Sequence, residues 1–433
     1  MFFPIFASIV VWGLVLVVAL RVFNNCGIAI LRNKVTAFLL EDKRAVLQEE
    51  TTSKELAYIF LTCIAFRLAV YVMSAFSVAL FTSSEHLDFA SWLNQWKQWD
   101  ATGYNNMILG GYKQMVENGE YVTLVFFPLY AFAARILNFV INNTQLSAVI
   151  TSTLCYSFAC CFMYKLAAMD YGKNVAKKAV LYISIFPFGF YFGAMMTESM
   201  FFLTNVATFY FIRKHNWPMV GVCGALAALS RISGIAMIFP AAVEFIEHYQ
   251  LFGMFRDKKF KETFSLILKK GLWILGALVG VFIYLYCNYS LTGNWFKFME
   301  LQHKFWGEET CYFGKCILVM WQQIISPDRS VMVKTGMFLP ELLSVMLMLV
   351  TMLYGARRHR SMYITHMVVY LVMNTSITWP ISIARYMLCA IPMFIILADF
   401  SERHKKAHLW ITVIFAVMFG IYMTGYLFSK QIM

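Results

Sequence analysis

The chain has 433 residues, of which 60% are hydrophobic, 17% aromatic and only 14% charged. Soluble domains usually carry about 25% charged residues, so a water-soluble enzyme of this length is excluded. Disordered chains are poor in aromatic residues, and 41 Phe, 23 Tyr and 11 Trp exclude that class as well. The composition predicts an all-α, polytopic membrane protein, because a helix satisfies its own backbone hydrogen bonds in a bilayer. The length suggests about 11–13 transmembrane helices of roughly 20 residues each.

The predicted apolar helices begin with residues 2–20. This run has no basic segment before it and no small-residue cleavage site, so we interpret it as a retained span and not as a removed signal peptide. The further runs lie at 56–81, 147–167, 178–195, 198–212, 217–251, 270–288, 337–355, 362–380, 384–400 and 408–428. Gly234 and Pro240 interrupt the long run 217–251, which we divide into two short helices with a turn near 231–234.

The net charge of +13 lies mainly in short segments between the apolar runs. In a soluble protein this charge would suggest nucleic acid, but basic loops between spans are typical of the cytoplasmic side of a membrane protein. The basic segments are 21–54, 165–178, 213–214, 256–270, 357–360 and 403–406. Their alternation predicts one transmembrane domain, 1–433, with two long loops, 82–125 and 289–335, on the outer or lumenal face.

Residues 126–142 do not fit this alternation, because a full crossing there would place Lys173 and its basic neighbours outside. The favoured interpretation is a segment that dips in from the outer face and returns, which survives only where protein or a polar cavity surrounds it. The alternative is a full span with a local exception to the charge rule.

The most informative stretch runs from Ser91 to Tyr104 in the first long loop. Trp92, Trp96 and Trp99 recur on one face of a helix. Tryptophan favours the membrane–water interface, so we predict an amphipathic helix lying flat on the outer leaflet, with Asp100 at membrane level. A carboxylate desolvated beside apolar rings is a better proton acceptor, which suits a general base. The alternative is a surface ion pair between Asp100 and Lys97, which stabilises little.

Glu198 opens an apolar helix on the same predicted side. Thr197 could simply cap that helix while Glu198 complements its dipole. The functional interpretation is a second acid that faces the same cavity as Asp100.

Three arginines fall within or at the outer ends of apolar segments: Arg135, Arg231 and Arg385. An intramembrane Arg costs roughly 2.5–3.5 kcal/mol on insertion scales unless a partner compensates it. Asp100 and Glu198 are candidate partners, and so is a lipid-linked phosphate, which Arg binds through two parallel hydrogen bonds. For Arg135 alone, a side chain that reaches the headgroups is a fair alternative.

The second long loop carries Glu300, Gln302, His303 and Trp306. Amide and indole groups suit sugar recognition, whereas a lone His in a polar loop is more often only solvated. The sequence has no Ser–His–Asp set, no Gly-rich phosphate loop and no His/Cys metal spacing, so covalent or nucleotide-driven chemistry has no support. A divalent cation could assist, but no dedicated ligand cluster is predicted.

A set of short motifs between about 90 and 400 resembles the GPI mannosyltransferase II (PIG-V) family, including its bacterial relatives. Each motif is weak alone, and their order and spacing carry the resemblance. In chain order they are Trp99-Asp100-x-x-x-Tyr104, Phe126-Phe127-Pro128-Leu129-Tyr130, Phe186-Pro187, Thr197-Glu198-Ser199, Ser230-Arg231-x-x-Gly234, Gln302-x-x-x-Trp306-Gly307 and Ala384-Arg385-Tyr386.

The resemblance implies a GT-C glycosyltransferase with an inverting mechanism. Such an enzyme transfers a sugar, typically mannose, from a polyprenyl-phosphate donor such as dolichyl-phosphate mannose to a lipid-linked or GPI-type glycan. Asp100, in the catalytic loop 82–125, is implied as the catalytic base. The expected substrate-binding residues are Trp99, Tyr104, Glu198, Arg231, Gln302, His303, Trp306, Arg385 and Tyr386. The membrane would be that of the endoplasmic reticulum in a eukaryote and the plasma membrane in a bacterium.

A transporter or flippase of a lipid-linked sugar is the main alternative. It would share the spans, the buried arginines and the lipid phosphate, but it needs polar residues along a path across the whole membrane. The intramembrane charges are predicted to cluster toward one face, which favours the enzyme. A non-catalytic subunit of a glycosylation complex is a third possibility.

Overall fold

A computed structural model describes residues 2–28, 36, 49–81, 88–378, 380–430 and 432. Much of the basic segment 21–54 and residues 82–87 of the first long loop therefore lie outside the described residues. The described chain is overwhelmingly α-helical, which confirms the all-α, polytopic architecture.

Among the described residues, most consecutive helices are joined by short connections. The helices are α1 (Phe2–Asn25), α2 (Ser53–Phe81), α3 (Phe89–Gln95), α4 (Ala101–Gly110), α5 (Pro128–Ile141), α6 (Thr144–Tyr171), α7 (Lys173–Ile185), α8 (Glu198–Arg213), α9 (Trp217–Ser230), α10 (Ile238–Tyr249), α11 (Leu251–Arg256), α12 (Phe260–Lys269), α13 (Gly276–Thr292), α14 (Lys297–Trp306), α15 (Phe313–Ile325), α16 (Val331–Val333), α17 (Leu339–Gly355), α18 (Ser361–Thr375), α19 (Ile383–Met387), α20 (Ile391–Arg403) and α21 (Lys405–Leu427). Short 3₁₀ turns at Gly111–Lys113, Val122–Val125, Gly189–Gly193, Ile232–Met237 and Gly271–Leu275 and a π turn at Lys334–Phe338 join or extend them.

Six helical segments of the described chain are long and apolar enough to cross a membrane. They are Phe2–Asn25, Ser53–Phe81, Thr144–Tyr171, Gly271–Thr292, Val331–Gly355 and Lys405–Leu427. The other predicted runs form shorter helices. The division of 217–251 is confirmed, since α9 ends at Ser230 and α10 begins at Ile238 after a 3₁₀ turn.

The segment 126–142 forms α5, a helix of 14 residues. At 1.5 Å per residue it is about 21 Å long, short of the roughly 30 Å of a hydrocarbon core. The Tyr130 hydroxyl hydrogen-bonds Ser152 (2.9 Å), and Ser147 donates to Asn138 (3.3 Å), so α5 runs antiparallel beside the first half of α6.

The helix α6 itself runs antiparallel to α2. The Tyr71 hydroxyl lies 3.1 Å from that of Thr153, and near the other end of the pair Lys173 lies 2.8 Å from Glu55. Consequently α6 begins on the side where α2 ends, and α5 finishes on that same side. The first turn of α5 lies beside Ser152, within the first half of α6. The helix α5 therefore extends along only part of α6, and the re-entrant interpretation of 126–142 stays a prediction.

The two long loops contact each other above the helices. In the first loop, β1 (Val116–Glu117) and β2 (Glu120–Tyr121) form an antiparallel hairpin. Glu120 in that hairpin pairs with Lys297 (3.3 Å) and Lys304 (3.2 Å) of α14 in the second loop. These ion pairs hold α14 beside the segment that carries Asp100.

Candidate active site

Four buried or half-buried charged side chains form one connected group, which we call the site cluster: Asp100, Glu198, Arg231 and Arg385. Arg385 Nη2 donates to Asp100 Oδ2 (2.7 Å), and its Nε lies 2.8 Å from Glu198 Oε1. Arg231 Nη1 donates to the same Glu198 oxygen (2.8 Å). Pairing with protein carboxylates, one of the two predicted ways to compensate these arginines, is therefore observed.

Asp100 stands at the start of α4, after a break in the tryptophan stretch. The expectation of a single helix through Trp99 is wrong, because α3 ends at Gln95 and Trp99 adopts a left-handed backbone conformation (φ 52°). Trp96 is fully buried, and its indole N–H donates to Ser74 of α2 (3.1 Å), so it packs inside the protein. The ion pair of Asp100 is with Arg385 and not with Lys97.

Glu198 is the first residue of α8 and is completely buried. Thr197 makes no side-chain capping hydrogen bond, so the simple capping interpretation is not observed. Glu198 Oε1 contacts both arginines, while its Oε2 has no hydrogen-bond partner in the described chain. A single carboxylate oxygen of Glu198 therefore keeps the two guanidinium groups close together.

Arg231 and Arg385 both lie at helix interruptions. Arg231 follows α9 with an extended backbone (φ −157°), and the 3₁₀ turn comes next. Arg385 lies in the five-residue α19, which follows Ser382 in a left-handed conformation (φ 70°). The buried carboxylate of Glu341, on α17, accepts the backbone N–H of Ala384 and so anchors the turn that presents Arg385.

Aromatic rings support the arginines. The Arg231 guanidinium lies 4.3 Å from the centre of the Tyr386 ring, and the Arg385 guanidinium lies 5.3 Å from that of Tyr191. Cation–π contacts of this kind stabilise a desolvated guanidinium group.

A cavity of about 310 Å³ opens beside the site cluster. Both long loops and the two helix interruptions contribute to its wall. The lining residues are Trp99, Asp100, Tyr104, Val125, Phe126, Phe127, Ser230, Arg231, Ile232, Ser233, Gln302, Trp306, Glu308, Met373, Asn374, Ile377, Ile381, Ser382, Arg385 and Tyr386.

Most of the predicted site residues meet at this cavity. Glu198 lies beneath it and touches it only through the arginines. His303 is not brought to the cavity: its side chain is 65% exposed and lies 3.7 Å from Glu309. Arg135 on α5 is also outside the lining, next to Gly111 of the first loop.

Sequence reasoning missed Glu308 and Glu341. Glu308 lines the cavity two residues after Trp306, and burial raises the pKa of its carboxyl group. Glu341 was visible as an acid inside an apolar run, a signal that usually marks a functional or anchoring role. Burial also raises the pKa of the Tyr104 phenol, and the nearby Asp100 charge adds to that rise.

Two residues that line the cavity, Trp99 and Asp100, have side-chain atoms without a hydrogen-bond partner among the described residues. Asp100 Oδ2 is bound to Arg385, whereas Oδ1 accepts no hydrogen bond from a described residue, and the side chain is 32% exposed. The indole N–H of Trp99 also lacks an acceptor among the described residues. The cavity wall thus combines a carboxylate with two guanidinium groups.

Metal ligands are a separate question. In the ranges that the structure describes, no group of three or more His, Cys, Asp and Glu side chains is placed to hold a metal ion. Assistance by a divalent cation stays a prediction.

Buried charged residues also occur far from the site cluster. The sequence predicts that such charges cluster toward one face, and this prediction is wrong. Asp170, Arg213, Glu244 and Arg360 form a second connected group, which we call the distal cluster. Glu198 and Arg213 are the first and last residues of α8, so about 22 Å of helix separates the two clusters. Arg67, midway along α2, is also fully buried, 4.0 Å from the centre of the Tyr156 ring.

Residues 127–287 match the model of the dolichyl-phosphate-mannose-protein mannosyltransferase family, PMT_2. The match includes Glu198 and Arg231 and covers less than half of the chain. It supports the GT-C glycosyltransferase superfamily. The site is therefore considered as that of a membrane-embedded glycosyltransferase.

No curated protein sequence matches the chain. Among solved structures, the chain is similar to the archaeal oligosaccharyltransferase AglB from Archaeoglobus fulgidus, in complex with an inhibitory peptide and a dolichol-phosphate. The two share 13% identity with a TM-score of 0.36, over 84% of this chain and 56% of AglB. The chain thus spans little more than half the length of that protein.

Proposed function

We propose that this protein is an inverting GT-C mannosyltransferase that uses a polyprenyl-phosphate sugar donor. The observation that carries the proposal is the site cluster, in which Asp100 and two arginines face one small cavity at 2.7–2.8 Å from their partners. A base for an alcohol and a cationic binding site for a phosphate are the two elements that such a transfer needs.

The proposed reaction takes place in one displacement. Asp100 Oδ1 accepts the proton of an acceptor hydroxyl as that oxygen attacks the anomeric carbon of the donor sugar. The bond between that carbon and the phosphate oxygen breaks on the opposite side, and the polyprenyl phosphate leaves with the electron pair. A general base of this kind contributes roughly 10²–10⁴-fold to the rate.

Arg231 and Arg385 would stabilise the charge that develops on the departing phosphate. Arg231 donates one hydrogen bond to a described residue, and Arg385 uses Nη2 for Asp100 and Nε for Glu198, so further N–H groups of both are available to phosphate oxygens. Glu198 holds both groups in place before substrate binds, which is the preorganisation that electrostatic catalysis requires.

The donor and acceptor follow from the family resemblance. The motifs resemble GPI mannosyltransferase II (PIG-V), which favours dolichyl-phosphate mannose as donor and a GPI-type or lipid-linked glycan as acceptor. In a bacterial relative, an undecaprenyl-based donor and a different glycolipid would take these places. In either case the proposed site faces the lumenal or outer side of the membrane.

The test is transfer by purified protein from labelled polyprenyl-phosphate mannose to lipid acceptors. We expect labelled glycolipid with the natural sequence and a loss of about 10²–10⁴-fold with Asp100→Asn, while the unfolding temperature stays unchanged. Glu117→Gln, which changes an exposed acid in the same loop, is the matched control and should keep full activity. Full transfer by a folded Asp100→Asn protein would exclude the base assignment.

A flippase of a lipid-linked sugar is the second candidate, because the distal cluster supplies polar groups near the other end of α8. Arg213, His215 and Glu244 there line a cavity of about 860 Å³. Reconstituted vesicles separate the two functions. Movement of the labelled lipid between leaflets without new glycolipid would support the flippase.

A further inference from the structure

Glu308 differs from the other acids at the cavity because it has no cationic partner. Asp100 and Glu198 are both bound to arginine. The carboxylate of Glu308 makes no ion pair and no hydrogen bond with any residue that the structure describes, although the residue is only partly exposed. An acceptor group held at a cavity wall without a partner is available to a ligand.

The backbone fixes the position of Glu308. Residues 309–311 pair with 376–378: Cys311 N–H donates to the Ser376 carbonyl (3.0 Å), and Thr378 N–H donates to the Glu309 carbonyl (2.9 Å). The second strand of this contact leads into the turn that carries Arg385. The loop is therefore attached to the same wall as the phosphate-binding arginines, and Glu308 is held over the cavity.

The charge of Glu308 makes it unsuitable for contact with a phosphate and suitable for contact with hydroxyl groups. A carboxylate repels a phosphate and accepts hydrogen bonds from sugar hydroxyls. Gln302 and Trp306, from the same loop, also line the cavity and supply an amide and an aromatic ring. A volume of about 310 Å³ is at the small end of ligand pockets, which fits one sugar ring and its phosphate better than an extended glycan.

We propose that Glu308 orients the transferred sugar of the donor, by accepting hydrogen bonds from its hydroxyl groups while the arginines hold the phosphate. This inference rests on the proposed function, since it requires a polyprenyl-phosphate sugar in the cavity. It adds a specificity-determining residue for the sugar, separate from the residues that bind phosphate.

The test compares the binding of two defined probes, dolichyl-phosphate mannose and dolichyl phosphate, to the full-length protein in detergent. Glu308→Ala should weaken binding of the mannose lipid about tenfold, the loss of one hydrogen bond to a charged group, and leave dolichyl phosphate within twofold. Glu308→Gln keeps the size of the side chain and should show an intermediate loss, which separates the sugar contact from a folding defect. Glu309→Gln, whose side chain is 64% exposed and pairs with His303, is the matched control.

Each result bears on the proposal. Equal weakening of both probes by Glu308→Ala, no weakening of either, or the same pattern in Glu309→Gln would overturn the sugar-orienting role. If the natural protein prefers the mannose lipid through Glu308 but transfers nothing, the role holds and the transferase proposal fails. If it binds neither probe, both proposals fail.

Discussion

The site cluster and the distal cluster contain the same ingredients, two carboxylates and two arginines, but they use them differently. In the distal cluster Arg213 donates through all three of its nitrogens, to Asp170 at 2.8–3.0 Å and to Glu244 at 3.0 Å. Asp170 also accepts a hydrogen bond from Tyr363 (2.7 Å). In the site cluster, by contrast, Arg231 donates one hydrogen bond, and Arg385 donates one hydrogen bond and contacts Glu198 through Nε.

We interpret the distal cluster as a structural network, because Arg213 donates from all three of its nitrogens and so stabilises the packing of α6, α8 and α10. The other arginine there, Arg360, is 28% exposed and makes only longer contacts, at 3.5 and 3.7 Å. In the proposed active site both arginines are largely buried beside the cavity, and their unused N–H groups are available to an anion. Cavity size does not make this distinction, because the larger cavity, about 860 Å³, lies at the distal cluster.

The largest expected effect is a loss of stability when Arg213 of the distal cluster is replaced. Arg213→Leu removes the hydrogen-bonded cation of Asp170 and Glu244 and leaves these buried acids only the longer contacts to Arg360, at 3.5 and 3.7 Å. This should lower the free energy of unfolding by about 3–5 kcal/mol. Thermal unfolding in detergent measures this. Arg256→Leu is the control, because Arg256 is 56% exposed and contacts only the adjacent Asp257 and the backbone carbonyl of Gly27 among the described residues. Equal stability of the two variants would contradict a structural role for the distal cluster.

A smaller effect, on activity instead of stability, is expected at Arg385. Lys cannot bridge Asp100 and Glu198 as the planar guanidinium does, so Arg385→Lys should lower kcat/KM about 10- to 100-fold through the loss of a charge-assisted hydrogen bond. The unfolding temperature should change little. Arg403→Lys, at a 42% exposed arginine that pairs with Asp399 within α20, should keep full activity. Sugar transfer at the normal rate by Arg385→Lys would indicate that the site cluster has only a structural role, like the distal cluster.

The smallest effect concerns the contact between the two long loops. Hydrogen bonds from Lys304 and Lys297 lower the pKa of Glu120. Because the pKa of the folded state is depressed, the contact is complete above the ordinary glutamate pKa of about 4.3 and is lost as the pH falls through the lowered value. Limited proteolysis of the loop 289–335 should therefore be constant from pH 7 to pH 5 and accelerate only in stronger acid.

Glu120→Gln should make that loop accessible to protease already at neutral pH. Glu117→Gln, in the same hairpin, is the control and should behave like the natural sequence. An unchanged cleavage rate in Glu120→Gln would show that the lysines do not hold the loops together.

Much of the site could be predicted because charge in an apolar environment is conspicuous. Asp100, Glu198, Arg231 and Arg385 stand out in apolar or aromatic surroundings, and their mutual pairing follows from the cost of leaving any of them alone. Glu308 gave no such signal, because an acid in a polar loop is ordinary. The distal cluster was missed for a related reason: its arginines belong to basic segments whose exposure was taken for granted.

Composition and hydrophobic patterning by themselves determined that this chain is a helical membrane protein with two long polar loops, since a bilayer permits few other ways to satisfy the backbone. They also marked the acids and bases that need partners. Only the tertiary structure decided which partner each one has, because Asp100 and Arg385 are 285 residues apart and meet through the packing of α4, α8 and α19. It also decided that His303 lies outside the cavity while Glu308 lies at its wall, since a backbone pairing between distant segments sets that loop.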